Sequence, residues 1–107
     1  MKWAARKSLL GYWTIALLAA DEAELGAASV NQFGRVRFFS KRQPSPLGDW
    51  FPPWEALNAA ADIARQFCPP EAGRYGWRGS ARRGELCGQI AAALNAAGVF
   101  PAEARAA

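Results

Sequence analysis

Histidine is absent from the 107 residues, cysteine occurs twice and methionine once. Without an imidazole, no Ser-His-Asp or Cys-His arrangement can be assembled, and a zinc site of mixed Cys and His ligands is out of reach. Neither a metal nor a cofactor is expected, and the chain reads as non-enzymatic. Cys68 and Cys87 can close at most one disulfide. They are expected as reduced, buried thiols, and as a Cys68–Cys87 bridge only if the chain is exported. The glycines at 73, 76 and 79 lead into no Gly-Lys-Ser/Thr ending, so there is no phosphate-binding P-loop. Long apolar runs are missing from the first half. The uncharged stretch 8–20 follows a basic start (Lys2, Arg6, Lys7), the layout of a secretory signal, yet it falls short of the roughly 20 residues that span a bilayer. Gly11, Tyr12 and Thr14 interrupt it, and Leu17 and Leu18 stand three residues before the cuts that Ala19 and Ala20 would offer. The reading taken is a soluble, cytoplasmic protein, with a secreted single-disulfide domain as a distant alternative.

Acidic residues are few as well: nine against thirteen Lys and Arg, for a net charge of +4. Eight of those thirteen cations lie in two segments, 33–42 and 74–83, which hold no acidic residue and are interleaved with rings. Cations attract phosphate without regard to sequence, and flat rings offer a surface on which bases stack. Arg35, Arg37, Lys41 and Arg42 are the candidate phosphate contacts of the first segment, with Phe39 to stack. Arg74, Arg78, Arg82 and Arg83 play that part in the second, with Tyr75 and Trp77. Arg82 and Arg83 stand out further, because cations in the first turn of a helix oppose its dipole.

About half the residues are apolar, enough for the core of one domain over 1–107, with 102–107 a frayed tail. The fold expected is α+β. Trp13, Ile15 and Leu17 alternate within a strand, and a hairpin over about 28–40 turns at 31–34, where Asn31 and Gly34 suit a type I turn. Two Ala-rich helices follow. The first, about 53–68, begins at Pro53 and buries Leu57, Ala60, Ala61, Ala64, Phe67 and Cys68. The second, about 81–97, buries Leu86, Ile90, Ala93, Leu94 and Ala97 and ends at Gly98. The competing reading is a mostly α chain with an N-terminal helix over 3–25, because Leu9, Trp13 and Leu17 also share a helical face. Asp21, Glu22 and Glu24 read as an exposed acidic turn.

Phe33, Gly34, Val36 and Phe38 share the spacing of the aromatic strand motif of RNA-recognition domains. Gln32 and Arg35 replace that motif's Gly and aromatic positions, and little room precedes Gly34 for the strand and helix the fold needs. The family is therefore set aside while its surface chemistry is kept. The function expected is a small module that engages nucleic acid or a nucleoprotein by a basic-aromatic surface. The alternative is a protein-binding inhibitor or adaptor docking through Trp50, Phe51 and Trp54 or through the acidic turn. Small mobile-element proteins that block CRISPR effector complexes are comparable in size and in their lack of catalytic groups.

Overall fold

The structure, a computed structural model, describes residues 1–30, 36–40, 52–67 and 77–101, the side chains of Phe39 and Ser40 aside. Strands β1 (Lys2–Lys7), β2 (Trp13–Leu18), β3 (Glu24–Val30) and β4 (Val36–Ser40) precede helices α1 (Trp54–Phe67) and α2 (Ala81–Ala96). The strands form an antiparallel meander in the order β1-β2-β3-β4. This is the expected α+β architecture, with both helices within two residues of their expected bounds. The hairpin pairs as expected, Val30 with Val36, Ser29 with Arg37 and Ala28 with Phe38. Its turn at 31–34 lies outside the described residues, as does the 102–107 tail.

The alternative helix over 3–25 is corrected, since β1, β2 and the start of β3 occupy that stretch. The reason lies in the turns. Ser8 N–H donates to Tyr12 O (2.8 Å) and Gly11 N–H to Ser8 O (2.9 Å), with Gly11 at φ 84°. This is the three-residue hairpin loop that closes through one left-handed residue. The same pattern recurs at the other end of β2, where Ala19 and Ala23 pair and Glu22 takes φ 68°. Asp21 Oδ1 accepts from Ala23 N–H there (3.1 Å), so Asp21 and Glu22 form the expected exposed turn, whereas Glu24 is the half-buried first residue of β3.

Strand β1 has poor credentials of its own, because Ala and Lys are weak strand formers. It is held by what it touches. On its free edge, Trp3 N–H donates to Asn95 Oδ1 (2.7 Å) and Asn95 Nδ2 donates to Trp3 O (2.8 Å). A side-chain amide from α2 thus takes the place of a neighbouring strand and satisfies the sheet edge. The indole of Trp3 donates to Val99 O (2.7 Å) and is 3% exposed. Its ring meets Phe38 edge-on, 5.5 Å between centroids and 78° between planes. Trp3 and Phe38 belong to the two outer strands, so this contact crosses the whole sheet. Between them in register stand the small residues Gly26, opposite Leu17, and Ala28, opposite Phe38.

One face of the sheet, with Trp3, Ile15, Leu17, Ala28 and Val30, forms the core with the helices. α2 lies over β1 and β2, while α1 touches β4 and packs beside α2. A bulge between Leu17 and Leu18 leaves Leu25 as the extra residue of β3 and brings it into the same core. In α1 the buried stripe is Ala56, Ala60, Ala64 and Phe67. Leu57 and Ala61 flank that stripe half-buried, which turns the helix slightly from the expected face. In α2 Leu86, Ile90 and Leu94 are buried as expected, joined by Arg83, Cys87 and Ala91. Ala97 is exposed instead, because Gly98 (φ 66°) ends the helix and Val99 and Pro101 fold back onto the core. None of the described helices is long and apolar enough to cross a membrane.

Candidate functional site

The structure gathers cations and rings at one end of the sheet, where the 8–12 turn, the last residue of β3 and the first turn of α2 converge. Three contacts define it. Lys7 Nζ stands 5.8 Å from the Trp13 ring centroid, the Arg78 guanidinium 5.6 Å from Tyr12 and the Arg82 guanidinium 5.1 Å from Phe67. All three cations are exposed, so each ring holds its cation in place without neutralising it. Arg6 adds a fourth exposed charge on β1, one residue from Lys7.

Close backbone approach fixes this arrangement. A short 3-10 turn, Trp77–Gly79, leads into α2, and Ser80 caps the helix by accepting from Arg83 N–H (3.2 Å). A Cβ on Gly79 would lie 2.7 Å from Gly11 O, backbone against backbone. Gly84 is equally tight, its Cβ position 2.8 Å from Trp13 Cε2, which accounts for a glycine inside a helix. Gly79→Ala is therefore expected to push the start of α2 away from the 8–12 turn and to cost about 1–3 kcal/mol. Thermal melts would record the loss, and amide chemical-shift changes confined to residues 8–12 and 77–84 would locate it. A melt unchanged within a degree would refute the close approach.

Two expected site residues are corrected. Arg83 is 6% exposed: its Nε donates to Trp13 O (3.1 Å) and its Nη1 to Val30 O (2.9 Å). The unfavourable first-turn cation is thus a buried joint between β2, β3 and α2. Trp77 is 8% exposed and belongs to the core, so it offers no stacking face. Arg78 and Arg82 do reach the surface, and Arg37 is exposed on β4. Arg37 alternates with Val36 and Phe38, which face the core, so it lies on the side of the sheet away from the helices. It pairs in register with Ser29, and Thr14 and Arg6 continue that row across the sheet. Among the described residues, Arg37 thus lies toward the same end of the sheet as Arg78 and Arg82, on the side away from the helices.

Arg35, Lys41, Arg42, Arg74, Tyr75, Trp50 and Phe51 lie outside the described residues, as does the side chain of Phe39. Trp54, a docking ring of the alternative reading, is 72% exposed at the start of α1. Cys68 lies outside the described residues, and Cys87 is a buried free thiol. Burial pushes that thiol up to about 11, against the opposing pull of the Arg83 charge. At neutral pH it stays protonated and unreactive. Among the described residues no group of three His, Cys, Asp or Glu comes together to hold a metal.

Comparison with protein-family models, with curated proteins and with solved structures finds no match. What the site can do follows from its own chemistry. Sequence reasoning overlooked Arg6, Lys7 and Tyr12, because the basic start was weighed only as a leader. The signal that could have found them is Ser8-Leu9-Leu10-Gly11, a tight-turn sequence that folds Lys7 back onto Trp13 and pairs Tyr12 with Ser8.

Proposed function

We propose that this chain is a small non-enzymatic binding module that engages nucleic acid, free or within a nucleoprotein, through its basic-aromatic end. The observation that carries the reading is the set of three exposed cations over rings, Lys7, Arg78 and Arg82, fixed beside Arg6. Such groups meet the phosphate backbone, and the half-exposed Tyr12 ring supplies a stacking edge. Arg37 extends the charge toward the other side of the sheet. At the opposite end of β2 the Glu22 charge is met by Lys2 (3.0 Å), which leaves Asp21 to set a modest charge asymmetry that would orient the module as it approaches a polyanion. No base-reading element enters the reading, and sequence preference is expected to be weak. Its place of action in this reading is the cytoplasm.

Fluorescence anisotropy with labelled single-stranded and duplex oligonucleotides tests it. Neutralising three to four phosphates predicts a log–log salt slope of roughly −2 to −4. A triple change, Lys7→Gln with Arg78→Gln and Arg82→Gln, is expected to flatten that slope by about 2 or more while leaving the melt intact. Absence of binding to every oligonucleotide at low salt would overturn the proposal. One observation favours a second reading, an inhibitor or adaptor of a protein target: the exposed Trp54, a ring of the kind that anchors protein interfaces. Capture of a partner that survives high salt and nuclease, and is lost in Trp54→Ala, would support that reading over the first.

A further inference from the structure

Leu9 is 108% exposed and Leu10 80% exposed, at the very tip of the basic-aromatic end. Exposed leucines on a loose loop would mean little. These sit on a pinned one, since Ser8 N–H and Ser8 O are both bonded across the turn, Tyr12 N–H donates to Ser8 Oγ (3.2 Å), and Gly11 locks the closing geometry. The two side chains therefore stand out at fixed positions, with Arg6, Lys7, Tyr12 and Arg78 directly behind them.

Resting on the nucleic-acid reading above, we propose that Leu9 and Leu10 form a wedge that enters a base step of duplex nucleic acid. The cations behind them would hold the phosphates on either side. Apolar side chains inserted this way unstack a step and kink the helix, and leucine is one of those that do it. The charge pattern favours this occupant, because Arg6, Lys7 and Arg78 stand behind the tip and outnumber the one carboxylate, Glu24, that shares the hollow lined by Arg6, Lys7, Leu9 and Leu10. A bilayer is a poorer fit. Two leucines bring fewer carbons than a single myristoyl chain, which alone holds a protein to a membrane only marginally. The ligand class is thus a duplex whose stack is already weak: a mismatch, a nick or a flexible pyrimidine–purine step.

The test uses a paired duplex, the same duplex with one mismatch, both carrying 2-aminopurine beside the target step, and vesicles rich in anionic lipid. The wild type is expected to bind the mismatched duplex about tenfold tighter than the paired one, because less stacking must be broken. It should also raise the 2-aminopurine fluorescence. The double variant Leu9→Ser, Leu10→Ser is expected to keep the salt slope but lose both the mismatch preference and the fluorescence rise. Its melting curve checks that the fold is intact. Binding without either effect in the wild type, or both effects surviving in the variant, overturns the wedge and leaves the proposed function standing. No binding to any duplex or single strand overturns both. Leucine-dependent capture by vesicles, with no change at the base step, overturns the wedge in favour of a membrane contact.

Discussion

Arg83→Met is expected to lower the stability of the fold by about 2–4 kcal/mol, because it strands two backbone acceptors, Trp13 O and Val30 O, where the guanidinium now serves both. Removing a buried charge also removes its desolvation penalty, which is why the figure stays below the sum of two charge-assisted bonds. In a domain of this size the melting temperature should fall by on the order of 10–25 °C. Arg83→Lys keeps the charge but lacks the fork that reaches both strands, so it should recover only part of the loss. Urea unfolding with an unchanged m-value is the measurement. The experiment also separates two roles that the sequence left entangled. A phosphate contact replaced by Met would keep its melt and lose affinity for nucleic acid; a structural joint does the reverse. Stability unchanged within about 0.5 kcal/mol would mean that the two carbonyls are met by water and that the joint is dispensable.

Trp3→Ala is expected to have the largest effect of any single change, about 3–5 kcal/mol. The indole fills the core beneath α2, meets Phe38 across the sheet and satisfies Val99 O. All three are lost together. Since whole domains are stable by only about 5–15 kcal/mol, the variant should be partly unfolded at 37 °C. Trp3→Phe keeps a ring and loses the N–H donor, and is expected to cost about 1–3 kcal/mol through the orphaned carbonyl. Circular dichroism melts of the pair divide the ring's share from that of the hydrogen bond. Equal losses in both variants would show that the hydrogen bond dominates; a small loss in Trp3→Ala would contradict the burial of the ring.

These two residues also mark the limits of what was legible in the chain. The helices could be read because their determinants are local: Pro53 and Ser80 start them, Gly98 ends the second, and apolar residues recur at helical spacing. The β3–β4 hairpin was legible for the same reason, through alternation about Asn31 and Gly34. Strand β1 was not, because its strand character comes from Asn95 and Val99, more than ninety residues away. No local propensity carries that information. The basic-aromatic site was half legible. Charge and ring content pointed to Arg78 and Arg82, but the same criterion admitted Arg83 and Trp77, whose burial is decided by neighbours in space. Conversely Lys7 was passed over because the basic start reads as a leader, and Tyr12 because only the Gly11 turn brings it under Arg78.

The dependence of β1 on Asn95 and Val99 has a consequence for how the chain is made. At synthesis rates of about 5–20 residues per second, Val99 leaves the peptidyl-transfer step roughly 5–20 s after Trp3. Throughout that interval β1 can pair with β2, but its outer edge has no Asn95 to close it and the Trp3 ring has no helix above it. The nascent meander is therefore an open sheet with a bare apolar face, and folding is completed only after the last helix has emerged. Slowing the final third of translation should lengthen the time that this face is open to chaperones or to aggregation, whereas slowing the first third should not.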